Sequence, residues 1–291
     1  MVTVSLGQLG QDLRTMLPKD TLWTDIRIEP RLDVQALDIT DATAVSSVVK
    51  TTYPDVIYHC AAYTNVNGAE SNQAAVRAVN VNGTRVVAEA AQAVGATLIV
   101  LSTDYVFDGQ STRPYTESDE PHSLSVYGQT KLDGERAALA SCDRTFVVRT
   151  AWLYGPSVTV APVKNFPQTI QRLAIDRSEL SVINDQIGSP TFTKDLAVAI
   201  VMLAQTDEYG IWHVTNSGQA TWYDFACEVL RAEIEAGKVN VNPIPTSAYP
   251  TLAKRPQYSV LDTTKFSEAF GQLRPWKSAL AEYLVGQSSN Y

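Results

Sequence analysis

Cysteine and histidine are scarce in this chain. Its 291 residues hold three of each. Cys60, Cys142 and Cys227 are dispersed without metal-ligand spacing, and so are His59, His122 and His213. That scatter argues against a disulfide framework and against a zinc site, and it reads the thiols as small buried hydrophobes. Basic residues are outnumbered, 23 Lys and Arg against 31 Asp and Glu, for a net charge of -8. Nucleic acid and anionic membrane surfaces both demand clustered cations, so neither partner is expected, although a local cationic pocket for a nucleotide remains open. No run approaches the roughly 18 apolar residues of a membrane span. The first residues lack the basic and apolar regions of a signal peptide, and a cytoplasmic location is expected. Internal repeats, low-complexity tracts and flexible linkers are missing as well. What remains, 45% hydrophobic and 19% charged residues, is the composition of an ordered enzyme with one large core or two lobes.

The informative stretch is 97–131, TLIVLSTDYVFDGQSTRPYTESDEPHSLSVYGQTK. Thr97 to Leu101 is short, apolar and without alternation, as expected of a strand buried on both faces of a parallel sheet. Its carboxyl end delivers Ser102, Thr103 and Asp104 to the edge where open α/β sheets bind ligands. Tyr127 opens the next helix, and Lys131, four residues on, leaves the same face. A phenol titrates near pH ~10, and a neighbouring ammonium lowers it, which suits a Tyr that exchanges protons with a carbonyl oxygen. The pair alone has little specificity, since Tyr-x-x-x-Lys arises in many helices by chance; its place after a strand ending Ser-Thr-Asp supplies the weight. The long loop Asp108–Ser125 borders this site.

Together with Cys60–Glu70 (CAAYTNVNGAE), Arg149–Gly155 (RTAWLYG), Asn184–Thr191 (NDQIGSPT) and Arg255–Asp262 (RPQYSVLD), these segments span most of the chain. They resemble the extended short-chain dehydrogenase/reductases, and within them the dTDP-4-dehydrorhamnose reductase family. The resemblance implies an α/β fold: a Rossmann-like, doubly wound parallel sheet over 1–155 binding NADPH or NADH, and a smaller substrate lobe mainly over 156–291, from which some segments return to the sheet. It implies hydride transfer to the C4 carbonyl of a dTDP-sugar, with Tyr127 as proton donor, Lys131 lowering its pKa and holding the nicotinamide ribose, and Thr103 bonding the substrate oxygen or Tyr127. No metal is expected, and a homodimer is left open.

By the same resemblance Gly7, Gln8 and Leu9 form the phosphate turn, although Val4 stands where the family pattern has its first glycine. Asp25 accepts the adenosine ribose hydroxyls, while nearby Arg27 would suit a 2′-phosphate, so the choice of dinucleotide stays open. Asp38 and Ile39 lie against the adenine, with Thr40 or Asp41 as the cap of the following helix. Ala61, Ala62 and Tyr63 line the cofactor, and Asn80 either buttresses that loop or makes purely structural hydrogen bonds. The substrate falls to Thr103, Asp104, Tyr105, Trp152 against the hexose, Gln186 and Thr191 in the following loop, and Arg255 at the diphosphate. Helices around 194–204 and 222–236 and the short strand 210–214 are assigned to the carboxyl-terminal lobe. Two alternatives stand beside the reductase: a nucleotide-sugar epimerase or dehydratase, and a dinucleotide-binding regulatory subunit without turnover.

Overall fold

A computed structural model describes residues 1–29, 32–156 and 165–288. Most of the loop at 156–164 therefore lies outside the described residues. Seven strands form one parallel sheet: β1 (Val2–Thr3), β2 (Trp23–Asp25), β3 (Val34–Ala36), β4 (Val56–His59), β5 (Thr97–Thr103), β6 (Thr145–Thr150) and β7 (Gly210–His213). Their order across the sheet is β7-β6-β5-β4-β1-β2-β3. The chain therefore reverses direction of growth beside β1, and the crevice between the ends of β1 and β4 is the switch point where such sheets take ligands. β5 and β6 are buried along their whole length, which is why both read as unbroken apolar runs.

Two layers of helix cover the sheet. α1 (Gln8–Arg14) and the helix Thr193–Leu203 pack on one face through Leu9, Leu13, Leu196, Ile200 and Leu203. The helices Ala42–Thr52 and Thr84–Val94 pack on the other through Val45, Val49, Val87 and Ala91. A separate aromatic core holds the second lobe together around Tyr154, Phe225, Trp276 and Tyr283. Three small two-stranded sheets frame that lobe.

The edges depart from the sequence reading in three places. β7 does not belong to the carboxyl-terminal lobe: it pairs in parallel with β6, Gly210 opposite Phe146, because the apolar helix 193–203 provides the crossover that returns the chain to the sheet. β3 is a strand that the sequence did not announce, with only Val34 of its three residues buried. The segment 74–94, whose residue periodicity is that of a helix, is interrupted by a π-helical segment, Ala78–Gly83, that contains Asn80. Such bulges add a residue to the turn and re-aim side chains.

Candidate active site

At the carboxyl edge, β5 runs two residues further than expected and ends in Thr103, opposite Thr150 of β6. The helix Val126–Ser141, here α2, begins beside it with Ser125 as its N-cap, accepting from the Gly128 amide at 3.2 Å. Its first turn sits directly on Tyr105: a Cβ at Gly128 would collide with the Tyr105 carbonyl oxygen and the Ser123 hydroxyl. Glycine there is a packing requirement, and it brings Tyr127 edge-on to Tyr105 with centroids 5.8 Å apart.

Burial pushes the Tyr127 phenol above its usual range, with Thr103 opposing and Asp104 and Tyr105 adding to the effect. The expected acidification by Lys131 is not found. The Lys131 ammonium donates to the Leu101 carbonyl at 2.7 Å, and burial lowers its own pKa to about 8 against the opposing charge of Glu135. Glu135, one turn further along α2, is sealed in a bidentate pair with Arg149 and also receives the Ser102 hydroxyl. Lys131 thus belongs to a buried polar spine.

Asp104 is 2% exposed. It accepts from the Thr103 hydroxyl at 3.1 Å and from the Ser259 hydroxyl of the second lobe at 2.6 Å. Burial raises it to about 7. Arg255 comes from the same segment as Ser259, and its charge opposes the rise that burial gives the Tyr105 phenol. Segment 255–262 is fastened from both sides: Tyr115 donates to Val260, Asp262 donates to Tyr115, and Ile187 donates to Gln257. The structure therefore joins Thr103, Asp104, Tyr105, Tyr127 and Arg255 in one cluster. Ser259 was missed as a member; its only signal was its place inside the quoted 255–262 motif.

Other expected substrate contacts lie elsewhere. Thr191 is fully buried in a short strand and donates to Ser189, so it has no surface to offer a ligand. Gln186 is 3% exposed and spends its amide on Thr246. Trp152 holds a left-handed backbone, φ 47°, uncommon and strained for a bulky residue. Its indole is stacked on Trp222 at 3.5 Å and 6°, and a Cβ at Gly188 would come within 2.5 Å of it. The ring face given to Trp222 is not available to a hexose.

On the dinucleotide side, Gly7 precedes α1, and Gln8 is tied by its side chain to Asn165 at 3.0 Å. Leu9 is buried in the core beneath the turn. Val4 adopts φ 52°, the conformation a glycine would take at that point without strain. The buried hydroxyl of Ser5 in the same turn has no partner. Asp25 is corrected to an internal brace: it is 1% exposed and accepts from the Leu6 amide and the Arg27 amide, both at 3.1 Å. Arg27 beside it is half exposed. Asp38 is exposed and folds back on Thr40, Ile39 is buried against Gly83, and Asp41 caps the following helix. Ala61, Ala62 and Tyr63 follow β4 at the switch point, where Asn80 accepts from the Tyr63 amide at 2.8 Å and donates to Thr130 of α2 at 3.2 Å. Among the described residues no group of His, Cys, Asp or Glu is arranged to hold a metal ion, and no helix is long and apolar enough to cross a membrane.

The family model described as RmlD substrate binding domain matches residues 1–288. A dTDP-4-dehydrorhamnose reductase of Streptomyces griseus is 42% identical over 289 residues, 97% of this chain and 91% of the relative. The corresponding reductase of Aggregatibacter actinomycetemcomitans is 39% identical over 292 residues, 96% of each. Among solved structures, a dTDP-4-dehydrorhamnose reductase of Bacillus anthracis in complex with NADP is 36% identical with a TM-score of 0.87, covering 98% of both chains. One from Clostridium acetobutylicum is 37% identical with a TM-score of 0.88, covering 99% of this chain and 98% of that one.

Proposed function

The chain belongs to the family described as RmlD substrate binding domain, and on that premise we propose that it reduces the C4 carbonyl of dTDP-4-dehydro-L-rhamnose to give dTDP-L-rhamnose, as a cytoplasmic enzyme of nucleotide-sugar biosynthesis. One observation carries the chemistry: Tyr127 opens α2 beside the carboxyl edge of β5, its ring edge-on to Tyr105, two residues beyond Thr103. Tyr127 is the proton donor to the carbonyl oxygen, and Thr103 orients that oxygen and the phenol together. Its raised pKa keeps the phenol protonated at neutral pH, as a donor requires.

The residues at the switch point fit a dinucleotide: the unpartnered Ser5 hydroxyl, the glycine at residue 7, the small side chains of Ala61 and Ala62, and the half-exposed Arg27. Bound there, NADPH supplies the hydride for the sugar carbon. With Asp25 turned inward, Arg27 is the group left to meet the adenosine ribose, and a guanidinium pairs with a 2′-phosphate, which favours NADPH over NADH. Lys131 holds the nicotinamide ribose and the strand end. Arg255 meets the diphosphate from its place over Tyr105. The sugar is bound by Asp104 and Tyr105, and by the edge of Trp152.

The test is oxidation of NADPH on addition of dTDP-4-dehydro-L-rhamnose, with product identified by chromatography. Tyr127→Phe is expected to lower kcat by about 10²–10⁴-fold with the fold intact. Turnover of the sugar with catalytic rather than stoichiometric cofactor would replace this reading by an epimerase or dehydratase. A protein that binds NADPH and never oxidises it would leave only the regulatory reading.

A further inference from the structure

We propose that Asn165, a residue of the second lobe, fixes which way the Gln8 carboxamide is turned, so that Gln8 offers donors to a pyrophosphate at the Gly7 turn. The role rests on the dinucleotide site proposed above.

A carboxamide has an acceptor end and a donor end of nearly the same shape, and its hydrogen-bond partners decide between the two orientations. Two backbone groups decide for Asn165. As N-cap of the helix Phe166–Asp176, its Oδ1 accepts from the Gln168 amide at 3.0 Å. On its other side Nδ2 donates at 2.9 Å to the Gly155 carbonyl, which can only accept. Reversing the group would set donor against donor and oxygen against oxygen. The Tyr283 hydroxyl stands 3.0 Å from Nδ2 and donates to Oδ1 at 3.4 Å. Asn165 is 5% exposed, so little water is at hand to satisfy the reversed form. Gln8 therefore meets a donor: Asn165 Nδ2 donates to its Oε1 at 3.0 Å.

That bond passes the choice on to Gln8. With Oε1 held, the Gln8 N–H2 group is turned away from Asn165, and among the described residues it has no partner. Gln8 is half-buried and directly follows Gly7 at the start of α1. In the same turn the buried Ser5 hydroxyl is also without a partner. Two unpaired groups able to donate suit a ligand that only accepts, and a pyrophosphate is such a ligand. The position of α1 has other supports. Asp12, one turn beyond Gln8, accepts from the Thr193 hydroxyl at 2.6 Å, and Leu9 and Leu13 lie in the core. Asn165 thus acts on the orientation of one amide and is a positioning residue.

The test is titration of NADPH into the purified full-length protein, with Kd read from nucleotide fluorescence and no turnover required. Asn165→Asp keeps a good N-cap but presents Gln8 with an acceptor, so the Gln8 amide must reverse and set Oε1 against the phosphates. Kd is expected to rise about 10–100-fold, as for loss of a hydrogen bond to a charged group. Gln8→Met should raise it about tenfold by itself, and in that background Asn165→Asp should add less than about threefold. Asn165→Ser retains a cap and lacks the amide donor, and it serves should Asn165→Asp not fold. It should raise Kd about three- to tenfold with Gln8 present and leave it within about twofold in Gln8→Met. In assays with dTDP-4-dehydro-L-rhamnose the loss should fall on KM for NADPH and not on kcat. Equal losses with and without Gln8, or a Kd within about twofold of wild type in both Asn165 variants, overturn the proposal. Wild type that fails to bind NADPH overturns it together with the dinucleotide site. Binding without reduction removes the reductase reading and leaves the role of Asn165 standing.

Discussion

Arg149 and Glu135 face one another as a sealed pair, each 2% exposed, with Arg149 Nη2 2.8 Å from Glu135 Oε2. The pair joins β6 to α2 one turn beyond Lys131, and the Ser102 hydroxyl completes it. The remaining Arg149 Nη1 has no partner, so the pair is a register device more than a source of stability. Removing one member leaves a buried charge uncompensated, which costs about 3–5 kcal/mol. Arg149→Met alone is expected to destabilise by that amount in urea unfolding. Arg149→Met with Glu135→Gln should recover more than half of it, and additive losses would show the two residues to be uncoupled.

Gly128→Ala is expected to cost more activity than stability. The added methyl group meets the Tyr105 carbonyl oxygen and the Ser123 hydroxyl, and overpacking of this kind costs about 1–3 kcal/mol as the backbone shifts. The shift falls on the first turn of α2, which carries Tyr127. Misplacing reacting groups by about 1 Å can cost on the order of 10²-fold. A kcat within threefold of wild type would contradict the close packing described.

Asn80 connects the two halves of the site, holding the Tyr63 amide on one side and Thr130 of α2 on the other. Asn80→Ala leaves the Tyr63 amide without its acceptor, a loss of about 1–3 kcal/mol. Because Tyr63 lies in the loop proposed to line the cofactor, KM for NADPH is expected to rise about tenfold, while Asn80→Asp, which keeps the acceptor, should preserve most of the affinity. Equal KM values in all three proteins would remove the coupling.

The dependence of stability on pH has two opposing parts. His59 and His213 are buried with pKa values lowered to about 3. Each contributes stability that is present above pH ~6.5 and is lost as pH falls through its folded value, because the unfolded chain takes up the proton first. Asp12 and Asp104 are raised by burial to about 6 and about 7. Their ionisation penalises the fold as pH rises, and acidification relieves it. Asp104→Asn removes one relieving term. It should stabilise the protein at pH 8, leave it unchanged near pH 4, and steepen acid unfolding by on the order of 1 kcal/mol per pH unit between about pH 5 and 7. Parallel wild-type and variant curves of urea midpoint against pH would refute the assignment.

The sequence by itself determined the parallel sheet, the edge at which the proposed site opens, and the spacing of Tyr127 and Lys131. Each follows from local regularities: unbroken apolar strands must be buried on both faces, strand ends must open on one edge, and residues four apart share a helix face. Tertiary structure decided what each polar group does once there. Sequence spacing brought Lys131 beside Tyr127, but a backbone carbonyl thirty residues away in the chain, that of Leu101, took its proton donor. Asp25 and Thr191 are turned inward by their partners Leu6 and Ser189, and Trp152 gives one ring face to Trp222. Ser259, 155 residues from Asp104, entered the site only through the docking of the second lobe. Periodicity records which side of an element is buried. The hydrogen-bond partner of a buried group is set by packing between elements far apart in the chain, where no local pattern reaches.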